Sequence, residues 1–119
     1  MNRAATDQEV RLLFRAVRAR LELGLAHSMI ESRWTPGQVY HPNRKRKRPF
    51  CGREEWEFIA ELLEAGTPLQ VIRLDIPKGA DGFVMKVPSR HRPELIYIKL
   101  QLDEDGFVIG RSFHYCDPR

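Results

Sequence analysis

Cysteine is almost missing from this chain: two residues in 119, Cys51 and Cys116. Two cannot form a disulfide framework, so both read as reduced thiols in a cytoplasmic protein. No apolar run approaches the ~18–20 residues that cross a bilayer, and no membrane partner is expected. The amino-terminal MNRAATDQEVR lacks the uninterrupted apolar core of a secretory signal. Internal repeats and low-complexity tracts are absent. So are the G-x-x-x-x-G-K-S/T and G-x-G-x-x-G patterns, which leaves nucleotide-cofactor chemistry without support. Cys51, Cys116, His41, His91 and His114 show no C-x-x-C or H-x-x-x-H spacing, so no zinc site is read and no metal or cofactor is expected. No RNA-recognition or zinc-finger signature is present either.

What is there is 42% hydrophobic and 30% charged, too apolar for a disordered chain. The length suits one domain, residues 1–119, with one modest core. The net charge of +4 is uneven: residues 1–50 carry +7, residues 51–66 carry −4 and residues 67–119 carry +1. A basic half beside an acidic segment suits a polyanion partner, and equally a solvated basic face.

Helix signals fill the first part. Thr6-Asp7-Gln8-Glu9 fits a capping box. Val10, Leu13, Phe14, Val17 and Leu21 then recur on one helical face, with Gly24 as the stop. A short helical turn is expected at residues 26–33. A second helix is expected from Arg53 to Ala65, with Trp56, Ile59, Ala60 and Leu63 as its stripe and Gly66 as its cap. Glu54, Glu55 and Glu57 suit the positive end of its dipole. Cys51, just before that helix, has no paired base and reads as a plain, partly buried thiol. Between the helices, residues 35–50 read as a connector interrupted by Pro36, Pro42 and Pro49. Its five consecutive cations, Arg44, Lys45, Arg46, Lys47 and Arg48, favour an extended, solvated chain. A phosphate-contacting loop, a nuclear-import signal and a surface loop without partner all have this composition.

From Thr67 the hydrophobic period changes to two. Four strands are expected, at Leu69–Ile76, Gly82–Val87, Leu95–Leu102 and Phe107–Cys116. Their short links, 77–81 and 103–106, require antiparallel neighbours, while PSRHRPE at 88–94 forms a longer loop. The expected fold is α+β, with N-terminal helices (residues 6–66) packed on one face of a four-stranded antiparallel sheet (residues 67–117). Alternation assigns Ile72, Leu74, Ile76, Phe83, Met85, Val87, Ile96, Ile98, Leu100, Phe107, Ile109 and Phe113 to the core face, with Arg111 an odd member. Phe83, Ile98, Ile109 and Phe113 should meet Phe14, Val17, Trp56 and Ile59. The other face collects Arg73, Asp75, Lys86, Tyr97, Lys99, Gln101, Gly110, Ser112 and His114.

A sheet backed by helices needs one wet side, which by itself explains a polar face. Yet all four strands carry Lys or Arg, and a phenol and an imidazole stand among the polar residues. Phosphodiester cleavage uses such a set: cations stabilise charge developing on the phosphoryl oxygens while His or Tyr moves protons.

The last hairpin carries a resemblance. A strand reading Tyr97-Ile98-Lys99, a short acidic turn and a strand ending Ser112-Phe113-His114 resemble the carboxy-terminal hairpin of the motility-quorum-sensing-regulator toxins. That family belongs to the RelE-like bacterial toxins, which cleave messenger RNA and are restrained by an antitoxin. The likeness covers the last quarter of the chain and, loosely, the order of helices before sheet. Tyr97 and Lys99 fall on the family's strand motif, and Lys86 corresponds to a basic residue on an earlier strand. His114 departs from it, standing where the family has Lys, as does the long basic connector.

The resemblance implies a metal-independent endoribonuclease of a toxin–antitoxin system, with RNA and an antitoxin protein as partners. His114 is then the general base or acid and Tyr97 its partner or a base-stacking contact. Lys99, Lys86 and Arg73 hold the phosphate, and Arg90, Arg92 and Arg44 to Arg48 extend the RNA path. The alternative is a non-catalytic module that docks nucleic acid or an acidic protein on the same face. A third reading is an adaptor whose polar face is only solvated.

Overall fold

The computed structural model describes residues 2–23 and 33–117. The elements are β1 (Arg3–Ala4), α1 (Asp7–Leu23), α2 (Glu54–Glu64), β2 (Gln70–Arg73), β3 (Asp81–Pro88), β4 (Leu95–Leu102) and β5 (Val108–Cys116), with one 3-10 turn at Pro36–Gln38. The fold is α+β. The sheet has five antiparallel strands in the order β1-β2-β3-β4-β5, one more than periodicity reveals, because β1 is only two residues long. No helix among the described residues is long and apolar enough to cross a membrane.

The caps follow the sequence. Glu9 N–H donates to Thr6 Oγ1 (3.1 Å) and Thr6 N–H to Glu9 Oε1 (2.9 Å), closing the capping box. Arg3 adds a fork onto the Glu9 carboxylate at 2.7 and 2.9 Å. Together these bonds hold that carboxyl down at about 2. Gly66, at φ 79°, ends α2 in the left-handed conformation that glycine adopts without penalty. Gly24 and the turn expected at 26–33 fall outside the described residues, except for Arg33.

One hydrophobic cluster joins Leu13, Val17 and Leu21 of α1 and Trp56, Ile59 and Leu63 of α2 to the sheet residues Val71, Phe83, Met85, Val87, Ile96, Ile98, Leu100, Val108 and Phe113. Two strands depart from the expected facing. In β2, Val71 stands opposite Phe83 and is 3% exposed, whereas Ile76 is 75% exposed. The strand is therefore one residue out of phase, and a one-residue slip sends every side chain to the other face. Leu74 is buried outside the core cluster, with its side chain over Gly82.

In β5 a bulge intervenes. Lys99 pairs with Ser112 but Leu100 pairs with Gly110, leaving Arg111 as the extra residue. Phe113 and Val108 thus both reach the core although five residues apart. Ile109 falls opposite Gln101, off the core face, and Gly110 falls onto it. Arg111 is odd because it is the bulge itself. Its guanidinium donates to Gln101 Oε1 (3.2 Å) and to the Ile76 carbonyl (2.8 Å).

The connector is not extended. Tyr40 bridges Pro49, His41 N–H donates to the Arg48 carbonyl (2.8 Å) and Phe50 N–H to the Val39 carbonyl (3.1 Å). Val39, His41 and Phe50 are buried, with the His41 ring stacked on Phe50 at 4.3 Å. The residues flanking the cation run bury enough apolar surface to fold it into a closed loop with the cations at its tip.

Candidate active site

On the face away from the core cluster, the register aligns side chains in rows across the strands. Lys86 pairs with Tyr97 and Tyr97 with His114. The next row is Val84, Lys99 and Ser112. Directly opposed residues in an antiparallel ladder lie about 4.5–5.5 Å apart at Cβ, so strand pairing alone brings phenol and imidazole together. Their rings stack, with centroids 5.3 Å apart and planes at 18°. Lys86 Nζ lies 6.0 Å from the Tyr97 ring centroid on the β3 side, within cation–π reach.

A fourth member comes from the stretch before the connector. Residues 33–35 run along the outer edge of β5: Phe113 N–H donates to the Arg33 carbonyl (2.9 Å), and Thr35 N–H and Oγ1 donate to the Phe113 carbonyl (both 3.1 Å). Trp34 locks this strap, stacked on Trp56 at 5.0 Å and edge-on to Phe113 at 5.4 Å. Its indole lies over Gly110, where a Cβ would stand 2.7 Å from three ring carbons. Arg33 then reaches over His114, with Nη2 donating to Nε2 at 3.3 Å.

These contacts fix the tautomer. His114 Nδ1 is 2.8 Å from the Tyr115 carbonyl, which only accepts, so Nδ1 carries the proton. A guanidinium only donates, so Nε2 presents its lone pair. Burial, with Cys116 nearby, raises the Tyr97 phenol above its ordinary value, opposed by Arg33. The phenol is thus a proton donor at neutral pH, not a base. Burial also raises the Cys116 thiol, opposed by Lys86. The row reads cation, phenol, imidazole, cation. No family model, curated protein or solved structure matches the chain.

Of the predicted site residues, Tyr97, His114 and Lys86 come together in one row, with Lys99 in the next. Arg73 does not join them: the phase of β2 sets it opposite Asp81, on the side of the sheet that carries Val71. Arg92 is engaged with Glu94 at 3.0 and 3.1 Å and lies 4.5 Å over the Tyr115 ring. Arg44 and Arg48 both bind Glu54, at 3.1 and 3.0 Å. Lys45, Arg46, Lys47 and Arg90 are exposed. The cationic loop and the loop carrying Arg90 are joined, since His91 Nε2 donates to the Arg44 carbonyl at 2.8 Å and the Tyr40 and His91 rings meet edge-on at 6.0 Å. Cys51 is exposed rather than partly buried. Its thiol donates to Glu54 Oε1 at 3.1 Å, and that carboxylate raises its pKa.

Sequence reasoning missed Arg33. A single parallel bridge between residues 79 positions apart, Trp34 and Phe113, leaves no periodic trace. The only local sign is a tryptophan directly before Thr35-Pro36.

Proposed function

We propose that the chain is a metal-independent endoribonuclease of the toxin–antitoxin kind, cleaving RNA laid across the polar face of the sheet. One observation carries this reading: the stacked Tyr97–His114 pair, in which His114 offers a lone pair on Nε2 beside a phenol that burial keeps protonated. Base and acid are adjacent and flanked by cations, as 2′-hydroxyl attack requires.

The step balances on these residues. His114 Nε2 takes the proton of the 2′-hydroxyl as the 2′-oxygen bonds to phosphorus. The bond from phosphorus to the 5′-oxygen breaks, and the Tyr97 hydroxyl supplies that oxygen with a proton. Imidazolium then returns a proton to the phenolate, leaving a 2′,3′-cyclic phosphate and a 5′-hydroxyl. Lys86 and Lys99 stabilise the charge on the phosphoryl oxygens. Lys45, Arg46, Lys47 and Arg90 engage the flanking backbone of a single strand. The toxin reading adds an antitoxin whose acidic side chains would cover this face.

The test is cleavage of a labelled RNA oligonucleotide by the purified chain in the presence of EDTA. His114→Ala should lower the rate by roughly 10²–10⁴-fold, and a 2′-deoxy substitution at the scissile nucleotide should abolish it. If the parent leaves RNA intact, or the His114 variant cleaves as well as the parent, the enzyme reading fails. The same face is then a non-catalytic polyanion-binding module.

A further inference from the structure

We infer that Arg33 is the phosphate ligand of this site, and that in the free protein its guanidinium masks the His114 base. The inference rests on the ribonuclease reading for its substrate but on geometry for its anion. Among the described residues Arg33 joins no salt bridge; its guanidinium meets a ring nitrogen of His114 instead of a carboxylate. Guanidinium carries five donors in a rigid fork, and the contact with Nε2 occupies one. Turned from that contact, the fork suits two oxygens of a phosphate, which accepts it bidentately.

Placement supports the assignment. The backbone of Arg33 is fixed by the Phe113 amide on one side and, through Thr35, by the Phe113 carbonyl on the other. The next residue is Trp34, wedged between Trp56, Phe113 and Gly110. The guanidinium is therefore delivered to the β5 edge of the row by a rigid anchor, while Lys86 closes the row at the other end. A phosphate above the Tyr97–His114 stack lies between the two cations.

The same contact regulates the base. While Arg33 donates to Nε2, the lone pair that must accept the 2′-hydroxyl proton is occupied. When the guanidinium turns to a phosphate, it releases that lone pair. Anion binding and unmasking of the base are thus one event, and the imidazole is freed only where a phosphate is present.

Nitrogen NMR of the His114 ring, read in the full chain at fixed pH during titration with inorganic phosphate, tests this directly. In the parent, phosphate should move the Nε2 resonance as the Arg33 hydrogen bond is withdrawn. Arg33→Ala should show the unmasked Nε2 position before phosphate is added and bind phosphate roughly tenfold more weakly or worse. Arg33→Lys, which keeps charge but not the fork, should fall between them and guards against a folding defect in the alanine variant. On RNA, Arg33→Ala should lower kcat/KM by roughly 10²-fold, with partial rescue by Lys. Equal phosphate affinity and an identical Nε2 resonance in Arg33→Ala and parent would overturn the inference, whether or not RNA is cleaved. A parent that cleaves no RNA but shows the phosphate response keeps Arg33 as the anion ligand and overturns only the nuclease reading.

Discussion

Replacing Gly110 with alanine should be among the costliest single-methyl additions in the sheet. A Cβ built there lies 2.7 Å from Cδ2, Cε3 and Cζ3 of Trp34, against about 3.5–4.0 Å for ordinary carbon contacts. The indole must therefore retreat by about 1 Å. It has little room to do so, being stacked on Trp56 and edge-on to the fully buried Phe113. Gly110 is not among the glycines with positive φ, so the penalty is steric and not conformational. Overpacking of this kind costs about 1–3 kcal/mol, from which the ordinary gain of about 0.5–1 kcal/mol for glycine to alanine in a strand subtracts. Gly82→Ala is the control, because its new methyl also meets an atom at 2.7 Å, but that atom is Leu74 Cδ2, the free end of a flexible side chain. Urea denaturation should thus rank Gly110→Ala below Gly82→Ala. Near-ultraviolet circular dichroism should change only in the former, since the chain has two tryptophans and both lie in the stack. Adding Trp34→Ala should cost less on the Gly110→Ala background than on the parent, a coupling of about 0.5–3 kcal/mol between residues in contact. A Gly110→Ala protein within about 0.5 kcal/mol of the parent and with its tryptophan spectrum unchanged would refute the strap's wedged placement.

Three other outcomes are expected. Glu54, held at about 2 by Cys51, Arg44 and Arg48, contributes stability above its unfolded value near 4.5 that is lost as pH falls through about 2. Urea midpoints should show Glu54→Gln destabilised by about 1–2 kcal/mol at pH 7 and matching the parent near pH 2; a gap independent of pH would deny the clasp. Neutralising Lys45, Arg46 and Lys47 should flatten the salt dependence of single-strand RNA binding by about 2 in log–log slope, at roughly 0.7 per phosphate contact, with the urea midpoint unmoved. An unchanged slope would make the tip a bystander. In ultraviolet titration Tyr97 should ionise later than a free phenol, and Tyr97→Phe should remove that late phase. Because the unfolded phenol ionises first, the folded state should lose stability as pH rises past about 10; a parent and variant with equal alkaline profiles would place Tyr97 in solvent.

Helices and strand positions were legible because apolar periodicity is a local signal. Thr6 and Glu9 announce the cap of α1, and the bounds of β4 are those that alternation assigns. That Tyr97 and His114 share the polar face was also legible from alternation, although their direct pairing comes only from the bulge at Arg111. Whatever depended on one residue of phase was not. The slip that takes Arg73 out of the site and the bulge at Arg111 that turns Ile109 and Gly110 over are set by packing against neighbouring strands, and alternation carries no absolute phase. Connector and strap were hidden for another reason. Charge density described Arg44 to Arg48 but not the burial of Val39, His41 and Phe50 on either side, and the Arg33 strap is held by a contact distant in sequence.

The two residue pairs that join β1 to β2 have a kinetic meaning. Ala4 faces Gln70, so this pairing closes a segment of about 65 residues, against a handful for each hairpin between β2 and β5. Closing a flexible loop of that length costs about 3.7 kcal/mol from its (3/2)RT ln n term alone, and backbone hydrogen bonds contribute only about 0.5–1.5 kcal/mol each. β1 cannot offset its own closure entropy until α1 and α2 have docked and drawn its ends together. The meander is therefore expected to assemble from local contacts first, with the amino-terminal strand sealing the sheet last. Hydrogen exchange at Ala5, whose amide donates to the Leu69 carbonyl, therefore reports completed folding rather than its onset.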